Sequence, residues 1–299
     1  MKQVLSTVES TPTIATNTGG WINGFIGVLL FSGSMPATKI AVLSLDPLFV
    51  TASRAAIAGV LALICLLAFK EKRPTKQQIL PLLIVAIGGV IGFPLLSALA
   101  LQHITSAHSL VFLGILPMST AIFAVIRGGE KPKPIFWLFS IMGSLLVIGF
   151  AVLQGGTSSL IGNVLMLLAI ILCGLSYAEG AKLSKSLGGW QVISWAVVLS
   201  LPISIACVVT TLPIAATLVP VSAWVGTAYL GVFSMFVGFV FWYKGLAQGG
   251  IAQVGQLQLL QPFFGLALAA FLLNEQVSSN MLLVTLGVIL CVAGSKKFA

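Results

Sequence analysis

Ten runs of about 20 apolar residues dominate the sequence, and they restrict the possible fold more than any other feature. A helix that crosses a bilayer needs about 20 consecutive apolar residues, and its backbone polar groups must be satisfied within the segment. The sequence therefore predicts an all-α integral membrane protein with ten transmembrane helices. The runs cover residues 21–43, 47–69, 79–99, 104–126, 135–153, 160–182, 190–211, 222–244, 251–273 and 277–295.

The composition excludes a soluble globular protein. Apolar residues make up 58% of the chain and charged residues only 7%, whereas soluble domains carry about 25% charged residues. The polar, Ser/Thr-rich residues 1–20 are predicted to be a disordered cytoplasmic segment. The first apolar run is longer than the ~7–15-residue core of a cleavable signal and lacks its basic flank, so we expect the first helix to stay in the protein.

Several function classes lack the residues they require. The four cysteines lie in apolar runs without metal-ligand spacing, and no phosphate-binding GxxxxGK[ST] motif occurs. We therefore predict no cofactor and no metal. The net charge of +9 comes from short loops rather than from a polar domain, which argues against a nucleic-acid partner. The predicted partners are a small-molecule substrate and the lipid bilayer.

The basic residues predict the orientation of the chain. All 15 lysines and arginines except Lys39 and Arg54 fall in segments that share one side if the helices alternate in direction. Because cytoplasmic loops are enriched in Lys and Arg, both termini are predicted to be cytoplasmic. The expected location is a bacterial inner (plasma) membrane.

The sequence also contains an internal duplication. The stretch Ile104–Glu130 aligns with Gly249–Glu275 at a fixed offset, with proline paired to proline (262 − 117 = 145) and glutamate to glutamate (275 − 130 = 145). Ten helices then divide into five-helix repeats over 21–153 and 160–295. Because five is odd, the second repeat enters the membrane from the opposite side. Such inverted repeats occur in secondary transporters, which bind substrate near the bilayer midplane.

These features resemble the EamA-like family of the drug/metabolite transporter superfamily. The resemblance is carried by the Gly129-Glu130 and Asn274-Glu275 pairs that end the fourth and ninth helices and by the Gly-rich helices that follow them. The opening helix, with FSGSMPATK at residues 31–39, is also similar. Within that family the chain is most similar to aromatic amino acid exporters of the YddG type. The resemblance implies export of amino acids or related metabolites.

A helical wheel separates the two aligned helices into a small-residue back and a polar, partly aromatic front. We predict that the front contacts substrate. Alternatively, its glutamines bond only to neighbouring helices, the role expected for Gln256. The predicted substrate-binding residues are Gln253, Gln258, Gln261, Phe264, His108, Phe112 and Ser119.

Prolines within the apolar runs remove a backbone hydrogen bond and permit a bend. They predict either hinges for alternating access or fixed kinks that shape the bundle. The four candidate positions are Pro36, Pro94, Pro117 and Pro262.

Two ion pairs are predicted from spacing. Asp46 lies eight residues before Arg54 and could pair with it across the outer turn, although Arg54 could instead attract a substrate carboxylate. Glu179 and Lys182 have the i, i+3 spacing of a helical pair.

The combined prediction is a secondary transporter that exports small amphipathic metabolites, amino acids with apolar or aromatic side chains first among them. The alternatives are a carrier of another metabolite or drug-like solute, a channel-like subunit, and an intramembrane enzyme. An enzyme would need paired carboxylates, a metal cluster or an activated nucleophile, and six acidic residues placed mostly in loops do not supply them.

Overall fold

The computed structural model describes residues 18–104, 109, 112–153, 159–273 and 279–298. This part of the chain is helical and contains no strand, which confirms the predicted all-α fold. Most of the segment predicted to be disordered lies outside the described residues, and the first helix begins within it, at Thr18.

The α-helices differ in length because several membrane segments are interrupted. In chain order they are α1 (Thr18–Ser32), α2 (Ser34–Val42), α3 (Pro47–Ala68), α4 (Lys76–Val85), α5 (Phe93–His103), α6 (Leu116–Gly128), α7 (Pro134–Leu153), α8 (Leu160–Leu187), α9 (Gly189–Thr210), α10 (Val221–Tyr229), α11 (Gly238–Gly249), α12 (Ile251–Gly255), α13 (Gln261–Leu273) and α14 (Ser279–Phe298). A π-helix joins α4 to α5 (Ala86–Gly92) and another joins α10 to α11 (Leu230–Val237). A 3₁₀ helix, Gln256–Leu260, joins α12 to α13.

Six continuous helical segments of the described chain are long and apolar enough to cross a membrane, judged by length and composition. Three shorter apolar helices accompany them, at Leu116–Gly128, Pro134–Gly149 and Leu286–Ser295. The six longer segments are Thr18–Val42, Pro47–Ala68, Lys76–His103, Leu160–Leu187, Gly189–Thr210 and Val221–Gly249.

The contacts between helices follow a two-fold pseudosymmetry. Exchanging the two repeats turns each of the following contacts into itself or into another of them. The second segment, α3, packs along its counterpart α9, and the fifth, α7, packs along its counterpart α14. The first segment contacts the eighth through α1 and α11, and the sixth contacts the third through α8 and α5. The ten segments therefore form two interlocked five-helix repeats of inverted topology.

Glycines allow the first and eighth segments to approach closely. A Cβ atom on Gly245 would lie 2.5 Å from the backbone nitrogen of Gly24, and one on Gly20 would lie 2.6 Å from that of Gly249. Small residues permit this kind of backbone contact between membrane helices. The contact joins helices from different repeats and thus holds the two halves together.

One face of the bundle carries most of the basic residues, and we call it the basic side. Contacts and shared pockets bring together there the loops 69–75 and 129–133 and the ends of α8, α11 and α14. The backbone N–H of Lys133 donates to the carbonyl of Phe298 at 3.2 Å, so the last helix ends beside the loop between the fourth and fifth segments. Gly129 ends α6 there with φ of 69°, a left-handed conformation that glycine adopts readily.

Candidate functional site

Four helices resume after an interruption, and each carries a proline in its first turn. A proline has no N–H to donate, so it is tolerated there without losing a helical hydrogen bond. The prolines thus mark helix starts, and their role as hinges stays a prediction. The preceding interruptions are the break at Gly33 for Pro36, the first π-helix for Pro94, the turn at 114–115 for Pro117 and the 3₁₀ helix for Pro262.

A cavity lies where these interruptions meet. Its volume is about 20 Å³, which is room for one or two water molecules. A substrate must therefore widen it. Its polar lining residues are Ser34, Arg54, Tyr177, Ser234 and Gln261, and its other lining residues are Phe31, Met35, Gly89, Phe93, Pro94, Leu116 and Phe239.

The cavity is built from equivalent positions of the two repeats. Three pairs of lining residues are each separated by the same 145 positions as the two aligned prolines: Gly89 with Ser234, Pro94 with Phe239, and Leu116 with Gln261. The two π-helices, 86–92 and 230–237, also fall at this offset to within one residue. Short π-helical turns frequently occur at functional sites. The cavity therefore lies at the interface between the repeats.

Arg54 is the charged residue of the cavity. Its side chain is buried, with 5% of its surface exposed, and its Nη2 donates to the Ser234 hydroxyl at 2.9 Å. The Ser234 hydroxyl lies 2.7 Å from that of Ser34, and either oxygen can donate. The Nε of Arg54 has no hydrogen-bond partner. Three segments, the first, second and eighth, thus meet at one guanidinium group.

The predicted ion pair of Asp46 with Arg54 is wrong. Asp46 caps α3 instead, where its Oδ1 accepts the N–H groups of Leu48 at 2.8 Å and Phe49 at 3.2 Å. Eight residues along a helix correspond to about 12 Å, so the two side chains lie in different layers of the protein.

The predicted pair of Glu179 with Lys182 is also wrong. The Glu179 carboxylate, 3% exposed, accepts from Nε of Arg127 on α6 at 2.9 Å. Lys182 is exposed, whereas the Glu179 side chain points to α6. The pair therefore joins two helices rather than two turns of one helix.

The remaining described carboxylates are also engaged. Glu71 accepts from the Gln191 side chain at 3.3 Å. Glu130 accepts the backbone N–H groups of Ile251 at 2.7 Å and Ala252 at 2.8 Å, and so caps α12 from the other repeat. No carboxylate in the described ranges lies within ion-pair distance of Arg54.

The glutamines of the ninth segment separate into different environments. Gln261 lines the cavity, and its Nε2 lies 3.4 Å from the carbonyl of Phe31. Gln258 is buried without a partner for either of its side-chain polar atoms. Gln253 lines a vestibule on the basic side. Gln256 donates to Ser140 on α7 at 3.2 Å, which confirms the interhelical contact predicted for it.

The other predicted binding residues lie away from the cavity lining. Ser119 donates to the carbonyl of Ile170 on α8 at 3.3 Å. The ring of Phe264 packs edge to face against Phe25 at 5.8 Å, and Phe112 packs among the core residues beside α5 and α8. His108 lies outside the described residues. Among the described residues that the helical wheel predicted to contact substrate, Gln261 is the one that lines the cavity.

The vestibule on the basic side is larger than the cavity. Its volume is about 610 Å³, and it is lined by residues 128–132, Lys185, residues 247–250, Ala252 and Gln253. It shares no lining residue with the cavity. The contact of Glu130 with the start of α12 lies in its wall.

Aromatic residues of the cavity were missed by sequence reasoning. Phe31, Tyr177 and Phe239 form edge-to-face contacts, with ring centroids 5.1 Å apart for Phe31 and Phe239 and 5.9 Å for Tyr177 and Phe239. The 145-residue offset could have identified Phe239, because it is the equivalent of Pro94. No comparable signal distinguishes Phe31 or Tyr177 from the other aromatics.

The described part of the chain holds no group of three or more potential metal ligands. A polar and aromatic cavity between inverted repeats has the lining and the position typical of a small-molecule site, although its volume here admits only water. Comparison with known proteins gives the family. The sequence pattern that defines the EamA-like transporter family matches residues 18–153 and 160–295.

The chain belongs to the EamA-like transporter family. This EamA-like transporter is 60% identical to the uncharacterized transporter YdeK of Bacillus subtilis, over 94% of this chain and 98% of that one. It is 29% identical to the S-adenosylmethionine/S-adenosylhomocysteine transporter of Chlamydia muridarum, over 34% of this chain and 33% of that one. A crystal structure of a protein 18% identical to it superposes with a TM-score of 0.76, covering 92% of this chain and 97% of that one. That similarity concerns the fold.

The family and its relatives establish that the chain is a multi-pass membrane protein that functions as a transporter. The substrate, the direction of transport and the predicted YddG-type specificity belong to the proposal below.

Proposed function

We propose that this EamA-like transporter is a secondary carrier of the bacterial plasma membrane that exports small amphipathic metabolites, foremost amino acids with apolar or aromatic side chains. The supporting observation is the cavity between the repeats. It combines hydrogen-bonding groups at Ser34, Ser234 and Gln261 with aromatic walls at Phe31 and Phe239. Such a lining suits a ligand with one polar end and one apolar end.

The proposed mechanism is alternating access at this cavity. Its supporting observation is that the cavity and the basic-side vestibule are separate spaces that share no lining residue. In the proposed cycle the Glu130 contact with Ile251 and Ala252 is the closure on the basic side. Opening requires these two charge-assisted hydrogen bonds to separate, and Gly129 beside it gives the loop conformational freedom.

Flux measurements in proteoliposomes test this function. The purified chain is expected to take up labelled tryptophan, phenylalanine or leucine with saturable kinetics, and unlabelled substrate on the far side should accelerate uptake. Linear uptake without acceleration would indicate a pore. Absence of flux for every amino acid would remove amino acids as substrates.

A further inference from the structure

We propose that Arg54, supported by Ser234 and Ser34, binds a carboxylate group of the transported substrate. The proposal rests on the transport function proposed above and narrows it to one chemical class. That class is monocarboxylates with an apolar or aromatic body, whether or not they carry an amino group.

The first argument is the uncompensated charge. A buried charge is costly unless it is paired, and ionisable residues inside membrane segments typically mark substrate or ion pathways. The guanidinium of Arg54 has five N–H donors, and its protein partner is the neutral hydroxyl of Ser234. Because the four carboxylates within the described ranges, Asp46, Glu71, Glu130 and Glu179, are engaged elsewhere, a bound anion is the natural counterion.

The second argument is the position of the guanidinium. Arg54 is the eighth residue of α3, about 10 Å along the helix from its start, and it lines the cavity. Its side chain does not extend to the membrane surface, as a basic residue without a buried role can. It bonds instead to Ser234, in the π-helix between α10 and α11.

The third argument is the polarity of the surrounding backbone. Helix α6 begins at Leu116, which lines the cavity, whereas α13 continues without a break from the 3₁₀ helix before it. Helix N-termini carry partial positive charge, and interrupted membrane helices of transporters direct such ends at anionic groups of substrates. The start of α6 therefore adds to the positive potential of Arg54.

The fourth argument concerns what the lining lacks. No carboxylate is among the lining residues of the cavity, so a substrate ammonium group meets no opposite charge there. Phe31, Phe93 and Phe239 provide apolar surface for the rest of the ligand. The carboxylate, rather than the amino group, is therefore the group that the site requires.

Competition by analogues that differ in one group tests this requirement. In proteoliposomes, uptake of labelled tryptophan should be inhibited by indole-3-propionate, which keeps the carboxylate and lacks the amine. Tryptamine and tryptophan amide should be at least about tenfold weaker inhibitors, because they leave the buried charge unpaired. Equal inhibition by all three, or preference for the amines, would overturn the proposal.

A stability measurement decides the question without transport. Arg54→Met removes the unpaired charge, so the midpoint of thermal unfolding of the ligand-free protein in detergent should rise. Indole-3-propionate should raise the midpoint of the wild type but not that of R54M, and Arg54→Lys should retain part of this effect. Arg73→Met, which removes an exposed arginine, is the matched control and should change neither quantity.

The two sets of outcomes separate the proposals. A wild type that transports no amino acid contradicts the substrate part of the proposed function, while stabilisation by indole-3-propionate that is lost in R54M still supports the carboxylate site. A less stable R54M that the carboxylate still stabilises, or a wild type that it does not stabilise, overturns the site.

Discussion

At the scale of single residues, local hydrogen bonding decided where the charges pair. Asp46 satisfies two N–H groups that α3 leaves free at its own start, a role that the Asp-Pro sequence is typical of. Spacing along the sequence predicted instead a pair with Arg54. The burial of Arg54 follows from contacts with the eighth segment, which no pattern in a single sequence reveals.

Glycine provides a residue-scale prediction with a matched control. Gly245→Ala should lower the free energy of unfolding by about 1–3 kcal/mol, because the new Cβ would lie 2.5 Å from the backbone of Gly24. Gly149→Ala, where no described atom from outside its own turn of helix lies within 4 Å of the added Cβ, should be neutral or slightly stabilising. Thermal unfolding in detergent measures both, and equal effects would contradict the close helix contact.

At the scale of elements, the helical wheel failed because the ninth segment is not a uniform α-helix. A 3₁₀ helix advances about 120° per residue instead of about 100°, so the five residues Gln256–Leu260 add about 100° of rotation. Gln253 and Gln261 consequently point to different spaces. Each of the four candidate prolines lies in the first turn of a resumed helix, and their role as hinges stays a prediction.

The cap on α12 gives an element-scale prediction. Glu130→Gln removes the negative charge that accepts from Ile251 and Ala252, at a cost of about 1 kcal/mol. The basic side should then open about fivefold more often. Alkylation of Gln261→Cys, which lines the cavity behind this closure, by a reagent added on the basic side should accelerate accordingly in a background without the native cysteines.

The control for this experiment is Glu71→Gln, which makes the same change of charge on the same side of the protein but leaves α12 capped. It should not alter the rate of alkylation. An unchanged rate in E130Q would mean that the cap is not the closure.

At the scale of the whole molecule, composition and the 145-residue offset predicted most of the architecture. Helix number, the repeats and their inversion follow from apolar run lengths and one pair of aligned prolines, because the bilayer leaves few alternatives. The cavity was located only approximately. Its polar members come from five segments, and their convergence depends on packing and on π-helical turns.

Orientation is a prediction for the whole molecule. If both termini are cytoplasmic, alkaline phosphatase fused after Ala299 should be inactive in a Gram-negative host, whereas a fusion in the loop after α9, at Pro213, should be active. A cytoplasmic fluorescent reporter at the same two positions should give the opposite result. Activity of the phosphatase at Ala299 would reverse the assignment of sides.

The equivalent residues of the cavity match in position but not in chemistry. Ser234 stands opposite Gly89 and Gln261 opposite Leu116, while Leu199, the residue at the same offset from Arg54, is exposed and does not line the cavity. The charged corner therefore belongs to one end of the cavity, nearer the start of α3 and away from the basic side. In the proposed export cycle, a substrate whose carboxylate binds Arg54 would keep one orientation and would leave the protein with its carboxylate first and its apolar part last.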